Sequence, residues 1–190
     1  VRKAIKNNVK VQLDKLDDVY SIIKHTFERQ GEGVLSPSKS YIESLVKNNK
    51  KNILILSAYH QTRLQGGIIV LFDKNKAYYY YGGSVQKPFD GSLFLLHFEA
   101  MKLLRNQGVQ VYDFMGARTV VSKGSKVQGI QRFKQQFGTT LKKGYVFKTV
   151  FKPIKYRLFN LAVAIAYKFK GGKYEGDPID QILKESRDVG

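Results

Sequence analysis

The chain has no cysteine, so disulfides, thiolate metal sites and cysteine nucleophiles are all excluded. Histidine is scarce. His25, His60 and His97 share no metal-like spacing, which argues against a zinc site. No apolar run approaches the ~20 residues that a bilayer-spanning helix needs. The longest, Leu161-Ala-Val-Ala-Ile-Ala-Tyr167, falls far short. There is no internal repeat. The chain opens on Val1 with no charged-then-apolar leader, and reads as a piece of a longer polypeptide without a secretion signal.

The most telling absence is of negative charge. No Asp or Glu occurs between Asp113 and Glu175, while Arg118, Arg132, Lys134, Lys142, Lys152 and Lys155 are among the cations of that stretch. The net charge of +18 exceeds the ~2–8 that solubility asks of a small domain. A field of one sign over a third of the chain favours a polyanionic partner: nucleic acid, a phosphorylated substrate or an acidic membrane face. The 190 residues suit one domain with a sizeable core.

Apolar periodicity gives the order of elements. Val9–Leu13 alternates as an edge strand. Helical spacing follows in Leu16, Val19, Tyr20, Ile23 and Phe27. Ser36-Pro37-Ser38 opens a second helix to about Asn48, predicted to bury Tyr41, Ile42, Leu45 and Val46. Three short strands, 53–59, 66–72 and 77–81, are separated by turn-length polar segments. A strong helix over 92–107 presents Leu93, Leu96, Ala100, Leu103 and Leu104, widened by Phe94 and Phe98, and ends at Gly108. A strand over 109–115, a short helix over 129–137 and a last strand over 141–151 follow. A basic amphipathic helix then runs from Pro153 to about Lys170, ahead of a polar, acidic tail. The strands on either side of helix 92–107 form a crossover unit and are therefore expected to be parallel. The fold class is α+β: a mainly antiparallel sheet with one parallel pair near its middle, flanked by helices. The carboxyl ends of that pair, at Gly82-Gly83 and Gly116, mark a natural cleft.

Within Gly129-Ile-Gln-Arg-Phe-Lys-Gln-Gln-Phe-Gly138, Ile130, Phe133 and Phe137 share one helix face. Lys134 stands where a fourth apolar residue belongs, with Arg132, Gln131 and Gln136 on the wet side. It either snorkels from the edge of the stripe or brings a charge into the cleft. On strand 77–83, alternation puts Tyr79 and Tyr81 on one side, as substrate contacts or core tyrosines. Arg118, just past the parallel strand, is a phosphate ligand or a surface arginine. Asp113, the only acid near the cleft, orients an amine or makes a structural ion pair.

Tyr79-Tyr-Tyr-Gly-Gly83, Gly108-Val-Gln-Val-Tyr-Asp-Phe-Met-Gly116 and Gly129-Ile-Gln-Arg-Phe-Lys-Gln-Gln-Phe-Gly138, in that order around a strong helix, resemble the acyltransferase domain of the Fem family. These are peptidoglycan bridge-forming aminoacyltransferases of the GNAT superfamily. The opening Val1-Arg-Lys-Ala-Ile-Lys-Asn-Asn-Val-Lys-Val11 is similar to the start of that family's second such domain. The resemblance spans roughly residues 1–151. It implies a GNAT-like domain over 1–152, followed by the helix 153–172 and the tail 173–190, with a first GNAT-like domain lying outside this chain. It further implies a cytoplasmic enzyme, peripheral to the inner face of the plasma membrane, that transfers an amino acid from aminoacyl-tRNA to an amine of a UDP-linked or lipid-linked muropeptide. No cofactor or metal is implied, and Lys134 falls on a functional lysine of the family. No residue recommends itself as general base, so substrate-assisted proton removal is the default.

Two other readings stand beside this one. An acyl-CoA-dependent N-acyltransferase of the same fold would carry a Gln/Arg-x-x-Gly-x-Gly/Ala loop ahead of helix 92–107 to cradle pyrophosphate. Here Gln86 precedes Gly91 by five residues and the second Gly is absent. A non-enzymatic module binding RNA or an anionic membrane would use the basic helix 153–170, whose apolar residues lie between cationic ends.

Overall fold

The computed structural model describes residues 1–29, 36–117, 124, 126–142, 144–145, 147–169, 174, 176–177 and 179–180, the side chains of Lys126 and Val127 aside. It divides into two compact units, Val1–Gly116 and Ala117–Gly190.

The first unit contains α1 (Arg2–Lys6), β1 (Val9–Leu13), α2 (Leu16–Glu28), α3 (Lys39–Asn48), β2 (Ile53–His60), β3 (Arg63–Phe72), β4 (Lys76–Ser84), α4 (Ser92–Asn106) and β5 (Val111–Asp113). The strands form one sheet in the order β1-β2-β3-β4-β5. All neighbours are antiparallel except β4 and β5, which are parallel as the crossover requires. This is the α+β architecture expected, with one adjustment. Among the described residues the parallel pair lies at the sheet's edge and not near its middle, and no described residue of 141–151 is assigned to a strand. A strand exists only by pairing, and the second unit has no described strand to pair with.

Alternation along the central strands sorts the core into two layers. Leu54, Leu56, Ala58, Ile68, Val70 and Ala77 pack towards α4, against Leu95, Leu96, Ala100 and Leu104. On the other face Ile53, Ile55 and Ile69 meet Val19 and Ile23 of α2 and Ile42 of α3. The buried face of α4 is turned from the predicted stripe: Leu95 and His97 are buried, while Leu103 and Phe98 are exposed. Apolar residues nearly encircle this helix, so spacing alone admits more than one inward face. Tyr41 is likewise exposed where burial was expected. Ser38, not Ser36, caps α3, accepting the Tyr41 N–H at 3.3 Å. Gly108, at φ +89°, ends α4 as predicted, its N–H bonded to Arg105 and that of Val109 to Leu104.

At the end of β4 the packing is unusually close. A Cβ on Gly83 would lie 2.4 Å from the Ile22 carbonyl oxygen and 2.7 Å from the Ile23 Cα, so only glycine lets the α2 backbone rest there. Thr26 Oγ1 then accepts the Ser84 N–H at 2.9 Å, and Arg29 donates to the Ser84 carbonyl at 2.5 Å.

The second unit holds α5 (Lys126–Gln135) and α6 (Pro153–Phe169). Described residues of the segment read as a polar tail, Asp177 and Asp180, bond to Tyr156 of α6. Lys148 Nζ bonds Asp177 at 2.5 Å and Asp180 at 2.8 Å, and also meets the Tyr156 hydroxyl, which itself reaches Asp177 at 2.6 Å. Asp177 Oδ1 accepts the N–H groups of Ile179 and Asp180. Burial opposes the charge on Lys148, but its three oxygen partners outweigh this and hold the ammonium protonated.

Two measurements check this account. Gly83→Ala is expected to destabilise the chain by about 1–3 kcal/mol, read as a lower urea midpoint at unchanged slope, because the new methyl meets backbone and not a movable side chain. The second concerns Asp177, whose carboxyl lies well below its usual 3.8 because Lys148, Tyr156 and the Asp180 N–H all favour its charged form. A depressed folded-state pKa contributes stability that is complete above the unfolded value and is lost as pH falls through the folded one. Protection of the Ile179 and Asp180 amides from hydrogen exchange is therefore expected to hold from neutrality to about pH 4 and to fall below it. Asp177→Asn should remove that protection at neutral pH.

Candidate active site

In the first unit β5 pairs with β4 only from Lys76 to Tyr78, against Val111 to Asp113. Beyond that β4 continues to Ser84. The parallel strands separate where the sequence placed a cleft.

A bulge decides which tyrosines face it. Ile69 pairs with Tyr81 and Val70 with Tyr79, so Tyr80 is an extra residue and the alternation changes phase across it. Tyr79 and Tyr81 consequently face opposite sides, contrary to the strict alternation assumed from sequence. Tyr79 joins the α4 layer, 4.7 Å edge-on from the His97 ring and 6.2 Å from Phe114. Its hydroxyl lies over Gly82, and removal from water pushes its pKa up to about 12. His97 is itself buried, its Nδ1 3.0 Å from the Tyr112 hydroxyl.

Tyr81 joins the α2 and α3 layer, with Phe27 at 6.3 Å and Tyr80 edge-on at 5.0 Å. The Tyr80 hydroxyl lies 3.1 Å from that of Tyr41 on α3. This bond, more than burial, raises Tyr80 to about 12, while desolvation leads the rise at Tyr81. Tyr41 and Tyr80 are exposed, Tyr81 partly so. The result is a cluster of three hydroxyl-bearing rings on one side of the strand end, suited to stacking on a sugar or base and to donating hydrogen bonds. Sequence reasoning named Tyr81 as a candidate and did not name Tyr41 or Tyr80 beside it. The only local sign was the run of four tyrosines before Gly82-Gly83.

Asp113 pairs with Lys76 at 2.8 Å and accepts the Met115 N–H at 2.7 Å, closing the turn that follows β5. Arg118 lies outside the described residues.

Lys134 belongs to the second unit. On α5 and the turn that follows it, Gln128, Gln131, Phe133, Lys134 and Phe137 are partly shielded, while Arg132 and Gln136 are exposed. Lys134 therefore lies on the partly shielded arc. Gln131 lies there too, and Ile130, expected to be covered, is 46% exposed. Phe133 and Phe137 stack edge to face at 5.2 Å, and Thr139 Oγ1 donates to the Lys134 carbonyl at 3.2 Å.

The loop from Ser84 to α4, where a CoA enzyme holds pyrophosphate, is occupied by the protein's own groups. Gln65 is buried at a second bulge, in β3, where its carbonyl accepts the Val85 N–H and its Oε1 accepts the Phe89 N–H. Phe89 stacks on His60 at 3.9 Å. Ala4 of α1 packs on Gly91, and Asp90, paired with Lys3, puts negative charge beside the mouth of α4. On the outer side of α2 an open groove of about 590 Å³ is lined by Ile22, His25, Arg29, Leu64, Ser84 and Gln86, among others.

Among known proteins, the model of the FemAB family matches residues 35–164. A curated relative from Staphylococcus epidermidis, called "Lipid II:glycine glycyltransferase", is 30% identical over 179 residues, covering 87% of this chain and 38% of the relative. The chain thus spans well under half the length of that relative. The crystal structure of FemX superposes with a TM-score of 0.61 at 19% identity, over 73% of this chain and 52% of FemX. An aminoglycoside acetyltransferase from an uncultured soil metagenomic sample follows at 0.56 and 14%, over 75% and 99%. These two likenesses establish a GNAT-like fold.

Asp113→Asn tests the one acid at the cleft. If its work is the Lys76 pair and the turn, the urea midpoint should move slightly and acyl transfer should follow stability. A loss of transfer by tenfold or more at an unchanged midpoint would show that the carboxylate handles substrate.

Proposed function

The chain belongs to the FemAB family, and from this we propose that it is part of an N-acyltransferase that carries an amino acid from aminoacyl-tRNA to an amine of a peptidoglycan precursor. The name of the staphylococcal relative supports a lipid-linked muropeptide over a UDP-linked one as acceptor. Such an acceptor places the work at the inner face of the plasma membrane. No described helix is long and apolar enough to cross it.

The reaction is the aminolysis of an ester. The neutral amine attacks the ester carbonyl, an oxyanion develops, and the ribose oxygen leaves with a proton while the new amide forms. The cationic Lys134 supplies charge for that oxyanion or for the neighbouring phosphate. Tyr81, with Tyr80 and Tyr41 beside it, holds substrate at the end of β4, and Tyr79 supports the strand from the opposite face. Arg118 takes a phosphate. Substrate-assisted transfer moves the amine proton.

The observation that carries this reading over an acyl-CoA enzyme is the filled loop before α4. Pyrophosphate needs backbone N–H groups at a helix N-terminus. In the loop that leads to this helix the Val85 and Phe89 N–H groups are taken by Gln65, and Ala4 packs on Gly91.

Lys134→Met, which roughly keeps bulk and removes charge, is expected to lower transfer from charged tRNA to a muropeptide acceptor by about 10²-fold or more, with little change in melting temperature. Acetyl-CoA run in parallel should give no product. Transfer from acetyl-CoA would replace this reading with the CoA-dependent one, and tRNA-dependent transfer that survives the substitution would return Lys134 to a surface role.

A further inference from the structure

Tyr79 and Tyr112 both pack into the layer between the sheet and α4, yet their hydroxyls differ. That of Tyr112 meets His97 Nδ1 at 3.0 Å. That of Tyr79 makes no hydrogen bond with any described residue. A phenol removed from water ordinarily finds a partner, so one left over calls for an explanation. Its aim is fixed by its neighbours. The ring is held edge-on by His97 at 4.7 Å and by Phe114 at 6.2 Å. It leans along β4 towards the strand's carboxyl end, since its hydroxyl lies over Gly82, three residues on. A Cβ on Gly82 would collide with that oxygen, so the bare glycine makes room for it. From Tyr79 onward β5 no longer pairs with β4. The hydroxyl therefore lies beside the opening between the two parallel strands.

We propose that Tyr79 is a catalytic residue whose hydroxyl donates a hydrogen bond to the oxyanion that forms on the acyl carbonyl during transfer. The assignment rests on the acyl-transfer reading above and on neither donor in particular, because an ester and a thioester both pass through that oxyanion. In the step, the amine nitrogen bonds to the carbonyl carbon, and the carbonyl π pair moves onto oxygen, where the phenol O–H meets it. Collapse re-forms the C=O, breaks the bond to the leaving oxygen or sulfur, and sends the amine proton to that atom. Tyr79 keeps its own proton throughout. Burial pushes its pKa up to about 12, which holds the phenol in its donor form around neutrality. A donor already aimed and held by packing needs no reorganisation as the charge develops.

The test is Tyr79→Phe in the full-length enzyme, with charged tRNA and acetyl-CoA as separate donors and a muropeptide acceptor. Loss of the hydroxyl is expected to lower kcat by about 10²-fold with whichever donor is used, while KM for the acceptor stays within about twofold. Melting temperature should not fall, because the oxygen removed has no partner among the described residues. A second variant separates hydrogen bonding from packing: 3,5-difluorotyrosine at position 79, whose phenol is more acidic. A donor works protonated, so activity is present below its pKa and lost as pH rises through it. This variant should match wild type in acid and fall about tenfold or more below it in alkali. A Tyr79→Phe enzyme that keeps kcat within about threefold overturns the assignment. So does a loss of kcat that follows a fall in melting temperature and is not restored by the fluorinated tyrosine. Transfer from acetyl-CoA alone, lost in Tyr79→Phe, supports the assignment and overturns the tRNA donor. Transfer from charged tRNA that Tyr79→Phe leaves intact does the reverse, and no transfer from either donor overturns both.

Discussion

The packing of the first unit turns on the contact between the α2 backbone and the bare Cα of Gly83. At that distance the helix and the end of β4 become one rigid body, with Thr26 and Arg29 satisfying the N–H and C=O of Ser84 that no strand takes up. From there the other features of the site follow. Phe27, one turn on, reaches Tyr81, and α3, packed through Ile42 into the same layer, brings Tyr41 to Tyr80. An extra methyl at position 83 would lift the helix that positions the aromatic cluster.

Two bulges complete the arrangement. The one at Tyr80 divides four consecutive tyrosines between the two layers, so that one supports the strand and others are available to a ligand. The one at Gln65 turns a buried amide towards the loop before α4 and ties that loop shut. A single residue inserted into a ladder reverses the facing of everything beyond it, which is how this sheet gains a tyrosine-lined strand end.

The second unit is organised by charge more than by core. Cations dominate residues 117–190, and the described acids there fold back on Lys148. Local neutralisation gathers those acids around one lysine.

Period-2 and period-3.6 patterns were enough to place β1 to β5, α2, α3 and α4, to make the last two strands parallel, and to point to their diverging ends. These are local signals, and each strand had a neighbour to pair with. The Fem-like motifs were equally legible, and Lys134 stood out because a charge interrupted an apolar stripe. What the sequence could not settle was anything needing a partner or a count across a ladder. Leu141 to Phe151 reads as a strand, but it finds no ladder among the described residues. Tyr79 and Tyr81 share a side by alternation until the partner strand reveals Tyr80 as an extra residue. The outer ring of the site, Tyr41, lay forty residues away on a helix predicted to hide it. Sequence determined the elements and the chemistry available, because both are written in spacing and residue type. Tertiary structure decided which face each side chain took, because register and bulges exist only between strands.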